Sequence, residues 1–122
     1  MKNVVPTEAQ EQSALFEWAA RMQGKYPALR YMFAIPNGGS RNLIEARHLK
    51  EQGVKAGVPD IFLPSPAGMY CGLFVEMKRQ KGGTVRPEQR EWLIELNRAG
   101  YKAVVARGFD EARQIILEYL AR

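Results

Sequence analysis

Apolar residues recur along the chain at the spacings of amphipathic helices and of short strands. Over residues 7 to about 23 they return every three or four positions, and Thr7 is a residue type that caps helix starts, so this stretch predicts a helix. The same periodicity predicts a second helix over residues 41 to about 52, with Leu43, Ile44 and Leu49 facing inward. Two further helices are predicted over residues 87 to about 99 and 109 to 120.

Short apolar runs bounded by turn residues lie between the helical stretches and predict strands. The runs cover residues 31–35, 61–63, 70–78 and 101–106. The Ser-Pro-Ala-Gly sequence at 65–68 turns the chain back, so the second and third strands are expected to pair as a hairpin. Because helices and strands intermix in the order α-β-α-β-β-α-β-α, the pattern predicts a small α/β fold with a mixed sheet flanked by helices.

Composition narrows the class of protein without changing this picture. The 122 residues, 46% hydrophobic and 25% charged, are typical of one ordered domain over 1–122. One Cys and one His exclude an internal disulfide framework and a Cys/His zinc finger. The apolar runs are too short to cross a membrane, and the first residues lack the features of a signal peptide, so we expect a cytoplasmic location.

Positive charge is concentrated in one part of the chain. The formal net charge is +5, and residues 78–107, with eight basic and three acidic side chains, account for the whole excess. A local excess of this kind is typical of a surface that binds a polyanion such as nucleic acid. The alternative is a basic helix and loop that are simply solvated.

The third predicted strand places an acid and an amine on one face. Since side chains alternate along a strand, Glu76 and Lys78 share a face with Phe74, and the other face is wholly apolar. In the predicted hairpin, Asp60 at the start of the second strand comes close to Glu76.

Two adjacent carboxylates repel each other unless a cation neutralises them. Mg²⁺ binds to one or two carboxylates together with waters and a substrate phosphate, and the Met77 carbonyl offers one more oxygen. Lys78 is then placed to orient an attacking water or to stabilise charge on phosphorus. The alternative is a surface ion pair between Glu76 and Lys78, with Asp60 merely beginning a strand.

Several segments together resemble the VRR-NUC family, the virus-type replication-repair nucleases of the PD-(D/E)xK superfamily. The resemblance runs from about Glu8 to Leu120 and looks most like the stand-alone form found in phages and bacteria. The loop at 35–42 also resembles phage members. The segments that carry the resemblance are 57–61 (GVPDI), 73–78 (LFVEMK), 87–93 (PEQREWL) and 100–105 (GYKAVV).

The resemblance implies a restriction-endonuclease-like core and metal-dependent cleavage of phosphodiester bonds. Asp60 and Glu76 match the metal ligands of the family, and Lys78 matches its catalytic lysine. Gln89 matches a glutamine that helps to position the site; alone it would be only a polar residue at a helix start.

The superfamily often adds an acid from its first helix. Glu8 is preferred, since Glu8 and Gln12 match the family spacing, and Glu11 is the alternative. Both acids would also simply favour the helix dipole.

Contacts to DNA are expected from basic residues near the site and from glycine-rich turns. Lys55 and Asn37 stand beside glycines that let a phosphate approach the backbone. The 81–84 loop is expected to be mobile and to order on binding. The residues expected to contact the DNA backbone are Arg79, Lys81 and Arg86.

The resulting expectation is a DNA endonuclease that depends on Mg²⁺ or Mn²⁺ and acts on branched DNA. Stand-alone relatives resemble junction-resolving enzymes, so four-way junctions are the first expected substrate, cut by a C2 homodimer. One alternative is a monomeric nuclease that cuts flaps or single strands. The alternative of another class is a catalytically silent DNA-binding module.

Overall fold

The helices and strands follow the predicted order with one addition. The computed structural model describes residues 4–36 and 42–122. The addition is a 3-10 helix, Pro27–Tyr31, between the first helix and the first strand. The elements are α1 (Glu8–Arg21), β1 (Phe33–Ala34), α2 (Leu43–Glu51), β2 (Ile61–Leu63), β3 (Leu73–Lys78), α3 (Pro87–Arg98), β4 (Lys102–Arg107) and α4 (Phe109–Leu120).

The four strands form one mixed sheet in the order β1-β2-β3-β4. β2 pairs with β1 and with β3 in antiparallel orientation, and Ile61 lies opposite Val75, so the predicted hairpin is present. β4 returns parallel to β3 after the crossover through α3, with Glu76 beside Val105. The predicted α/β fold with a mixed sheet flanked by helices is therefore confirmed.

The hydrophobic core lies between one face of the sheet and the helices α1 and α4. Leu73, Val75 and Met77 point into it and are at most 1% exposed, which confirms the predicted apolar face of the third strand. Leu15 of α1 and Ile116 of α4 cover them and are fully buried. This core packs behind β3 and supports the strand, whose opposite face carries Glu76.

The first strand is much shorter than predicted. Residues 31–35 read as one apolar run, but only Phe33–Ala34 is a strand, because Pro27 begins a 3-10 helix that extends through Tyr31. The first helix likewise ends at Arg21, two residues before the predicted residue 23. Apolar runs of this length do not show by themselves which residues pair.

The predicted inward face of α2 is wrong at two positions. Leu43 is 84% exposed and Ile44 69% exposed, while Leu49 is partly buried. The helix starts because the Asn42 side chain accepts hydrogen bonds from the backbone N–H groups of the second and third residues. Periodicity predicted the helix, but it carries no information about which surface the helix covers.

Gly57 brings the loop before β2 into contact with the start of α3. It has a φ of +92°, and a Cβ at this position would lie 2.8 Å from the Glu88 carbonyl oxygen. Gly53 has a similar φ of +102° but nothing within 4 Å. Both alanine variants strain the backbone by about 1–3 kcal/mol.

We therefore expect Gly57→Ala to destabilise the protein by clearly more than Gly53→Ala does, because only Gly57→Ala also pushes α3 away. Urea unfolding of both variants measures the difference. Equal losses would show that the close contact with α3 contributes nothing to stability.

Candidate active site

The β2–β3 hairpin brings Asp60 beside the end of β3. The Met77 N–H donates a hydrogen bond to Asp60 Oδ2 over 2.8 Å, and the Ile35 N–H donates to the Asp60 carbonyl over 2.7 Å. Backbone groups on two neighbouring strands thus fix this partly buried aspartate. The Met77 carbonyl lies on the same side of its strand as the Met77 N–H, toward Asp60.

Glu76 and Lys78 lie inside the protein rather than on its surface. Their side chains are 3% and 7% exposed, and Lys78 Nζ lies 3.9 Å from Glu76 Oε2. The same oxygen accepts a hydrogen bond from Gln89 Nε2 over 3.3 Å. The alternative of a solvated surface ion pair is therefore wrong, because both side chains are buried. Burial of such a pair costs free energy that surface pairs do not lose.

The protonation of Glu76 shows how strongly the acids interact. Burial, followed by the charge of Asp60 and a hydrogen bond with it, raises the pKa of Glu76 to about 8. The charge of Glu8 acts in the same direction, and the charge of Lys78 opposes it. One amine therefore does not balance the acids, and the site favours an added positive charge.

The donor set fits a hard divalent cation that keeps several of its waters. Asp60 and Glu76 supply two carboxylates, and within the described residues no three Asp, Glu, His or Cys side chains are grouped closely enough to hold an ion by themselves. Two carboxylates completed by water and a substrate phosphate are typical of Mg²⁺ sites.

The two candidate acids of α1 occupy different surroundings. Glu8 is partly buried, and its charge reaches Glu76. Glu11 is 5% exposed, and its Oε1 accepts hydrogen bonds from the Phe109 N–H and from Gln80 Nε2, both over 3.3 Å. Glu11 therefore caps the start of α4, and the choice of Glu8 as the site acid stays a prediction.

One sign of this cap is present in the sequence itself. Gly108 precedes α4 and has no side chain to cap it, so another residue must serve the first N–H groups of that helix.

Gln89 links the start of α3 to the site. Its Oε1 accepts a hydrogen bond from the Arg86 N–H over 2.9 Å, while its Nε2 holds Glu76. Gln89 is thus a polar residue at a helix start that also contacts Glu76, and its role in positioning the site stays a prediction.

The residues expected to bind DNA differ in their surroundings. Arg79, Lys81 and Arg86 are exposed near the acid pair, although the Arg79 guanidinium donates to the Val5 carbonyl over 3.2 Å. Lys55 lies in a groove of about 470 Å³ together with Glu88, Glu91 and Glu95, whose carboxylates disfavour a phosphate there. Asn37 lies outside the described residues.

Two members of the basic stretch at 78–107 contact neighbouring side chains. Arg98 pairs with Glu95 over 2.8 Å, and Lys102 lies over the ring of Tyr70, 5.4 Å from its centroid. Arg98 is nevertheless 73% exposed, so this pair leaves its charge accessible to solvent.

Arg107 is a residue whose role the sequence did not reveal. It pairs in register with Lys78, and its guanidinium donates to the carbonyls of Arg79, Gly82 and Gly83 over 3.4, 2.9 and 3.3 Å. The loop predicted to be mobile is therefore tied to β4. No local pattern predicts this contact, because it joins positions 24 to 28 residues apart.

Comparison with known proteins supports the observed fold and identifies the family. The model of the VRR-NUC domain matches residues 6–110, so the chain belongs to the VRR-NUC family. A solved structure described as a VRR_NUC domain protein is 32% identical and has a TM-score of 0.83, and the match covers 97% of this chain and 91% of that one. No curated protein matches.

Family membership defines a nuclease of the PD-(D/E)xK type, a hydrolase with DNA as substrate. Nucleases of this type generally use divalent metals. Over the described part of the chain, no helix has the length and apolar character needed to cross a membrane.

Proposed function

We propose that the protein is a structure-selective DNA endonuclease that requires Mg²⁺ or Mn²⁺ and resolves four-way junctions as a homodimer. The observation that carries the proposal is the acid pair, Asp60 and Glu76, beside the buried amine of Lys78. A DNA-binding module without catalysis has no need for carboxylates that repel phosphates.

In the proposed reaction, a water oxygen attacks the phosphorus in line and the bond to the leaving strand breaks. Asp60, Glu76 and the Met77 carbonyl would hold the ion, with Glu8 reaching it through water. The bound ion supplies charge that polarises the scissile phosphate and lowers the pKa of water. Lys78, 3.9 Å from Glu76, orients the attacking water and stabilises charge on the phosphate oxygens.

The remaining residues keep this arrangement in place and hold the DNA. Gln89 fixes the Glu76 carboxylate through its hydrogen bond. Arg79, Lys81 and Arg86 contact backbone phosphates around the site, and Lys55 and Asn37 are weaker candidates. Contacts of this kind position DNA without reading bases, which fits selection by DNA shape.

A panel of labelled substrates tests the proposal. Four-way junction, flap, fork, single strand and plain duplex are incubated with Mg²⁺, Mn²⁺ or a chelator. We expect paired cuts in the junction with either metal and none with chelator, and a dimer by light scattering at micromolar concentration. A strict monomer that prefers flaps or single strands would support the monomeric alternative instead. Tight binding without any cleavage would support the silent module.

Salt dependence tests the basic residues near the acid pair. We expect the affinity for junction DNA to fall steeply as salt rises, and Arg86→Ala to reduce the slope of log K against log salt by about 0.9, since one phosphate contact is lost. Arg98→Ala is the matched control, because Arg98 lies at the opposite end of α3 from Arg86. Identical slopes for Arg86→Ala and wild type would remove Arg86 from the interface.

A further inference from the structure

Four aromatic side chains form a row across the sheet. Phe33 of β1 meets Phe62 of β2 edge to face with 5.7 Å between centroids, and Phe62 stacks on Phe74 of β3 at 4.2 Å. Tyr101, just before β4, meets Phe74 at 5.2 Å. We call these four residues the aromatic row.

The aromatic row lies on the face of the sheet opposite the core. The neighbouring residues Ile61, Leu63, Leu73 and Val75 point into the core and are at most 1% exposed. Every ring of the aromatic row is at least partly exposed, and Phe33 is 48% exposed. A contiguous aromatic surface left open to solvent marks a binding site rather than a packing layer.

The aromatic row adjoins the acid pair on both strands of the hairpin. Asp60 precedes Phe62 by two residues and Glu76 follows Phe74 by two, so each acid shares a face with a ring about 6.6 Å away along its strand. Phe62 lies opposite Phe74, which places both acids at the same end of the ring pair. A distance of about 6.6 Å corresponds to roughly two nucleotide steps of a stacked strand.

We propose that the aromatic row stacks against a nucleobase exposed at the branch point of the DNA, next to the scissile phosphate. This rests on the proposed nuclease function, which places the DNA backbone at the acid pair. Bases inside a continuous duplex have no free face, whereas a branch exposes one, and stacking on aromatic side chains tolerates any base.

The occupant follows from the position of the aromatic row. A second copy of the chain seated on the row would cover the acid pair two residues away and exclude the phosphate backbone. A nucleobase that occupies the row leaves a phosphate of the same strand, roughly two nucleotides away, at the acids.

The experiment combines changes in the protein with changes in the DNA. In an Asp60→Asn background, binding is measured to branched DNA that is intact or carries one abasic nucleotide, scanned across the positions flanking the branch. We expect Phe33→Ala to weaken binding of intact DNA by roughly 5- to 100-fold. One abasic position should weaken binding by the parent protein similarly and have little further effect on Phe33→Ala. Phe33→Leu, which keeps an apolar side chain on this edge strand, should be as insensitive to the abasic position as Phe33→Ala.

Met69→Ala is the matched control, since Met69 is 85% exposed at the other end of the hairpin. Independent, additive losses from Phe33→Ala and every abasic position would overturn the proposal. A change from dimer to monomer caused by Phe33→Ala would also overturn it, in favour of a second copy. Absence of metal-dependent cleavage by the wild-type protein is a separate readout that tests only the proposed nuclease function.

Discussion

Replacing Asp60 with Asn is expected to lower the rate of DNA cleavage by about a hundredfold or more while DNA affinity is retained. The variant removes one of the two negative charges that favour a cation, but the Asn oxygen can still accept the 2.8 Å hydrogen bond from the Met77 N–H. Lys78→Ala is expected to lower the rate similarly, because it removes the amine next to the Glu76 carboxylate. Single-turnover cleavage and equilibrium binding of the same junction measure both effects.

The controls for this pair are chosen on α4 and after α1. Asp110→Asn changes an exposed aspartate whose partner is Arg113, and Lys25→Ala changes an exposed lysine after α1. Both should cut at the wild-type rate. Unchanged Mg²⁺-dependent cutting by both Asp60→Asn and Lys78→Ala would end the assignment of the acid pair as the catalytic centre.

Metal-free protein is expected to lose stability as the pH rises from about 5 to 9, and Glu76→Gln is expected to prevent much of this loss. The pKa of Glu76 is about 8 in the folded chain, above its ordinary value of 4.5. The folded state thus binds the proton more tightly than the unfolded state, so stability falls with rising pH between these two values. The loss should amount to about 1 kcal/mol or more between pH 6 and pH 8.

Urea unfolding of chelator-treated protein, followed by tryptophan fluorescence, measures this loss. Added Mg²⁺ should restore stability at pH 8 in the wild type but much less in Glu76→Gln, because the ion stabilises the ionised carboxylate. Glu51→Gln, at the exposed end of α2, is the matched control and should follow the wild-type profile. Parallel pH profiles for Glu76→Gln and wild type would contradict the raised pKa of Glu76.

The hairpin and its acid pair were accessible from sequence because each depends on short-range rules. Alternation along β3 predicts that Glu76 lies on the face opposite the apolar one. The turn between β2 and β3 predicts that Asp60 lies close to Glu76. The depth at which Glu76 and Lys78 lie was not accessible, since it depends on α3 and on the loop held by Arg107. These contacts join residues that are distant along the chain, and no local pattern encodes them.

For the first and second helices too, the sequence predicts the helix but not its packing partners. Glu8 and Glu11 lie on one helical face, and only the position of α4 shows that Glu11 caps that helix. Leu43 and Ile44 fit an amphipathic pattern, yet the described residues provide no surface that covers them. Amphipathic spacing predicts that a segment is a helix, but which surface the helix packs against depends on the tertiary structure.

The contact between Glu11 and the start of α4 has a consequence for protein synthesis. A nascent chain that has left the ribosome only as far as β4 already carries Asp60, Glu76 and Lys78, but it lacks the helix that Glu11 caps and the Ile116 and Tyr119 side chains that fill the core. The part of the core behind β3 that α4 supplies is then missing. We therefore expect a chain that lacks α4 to be unable to hold the Asp60, Glu76 and Lys78 side chains in their folded arrangement.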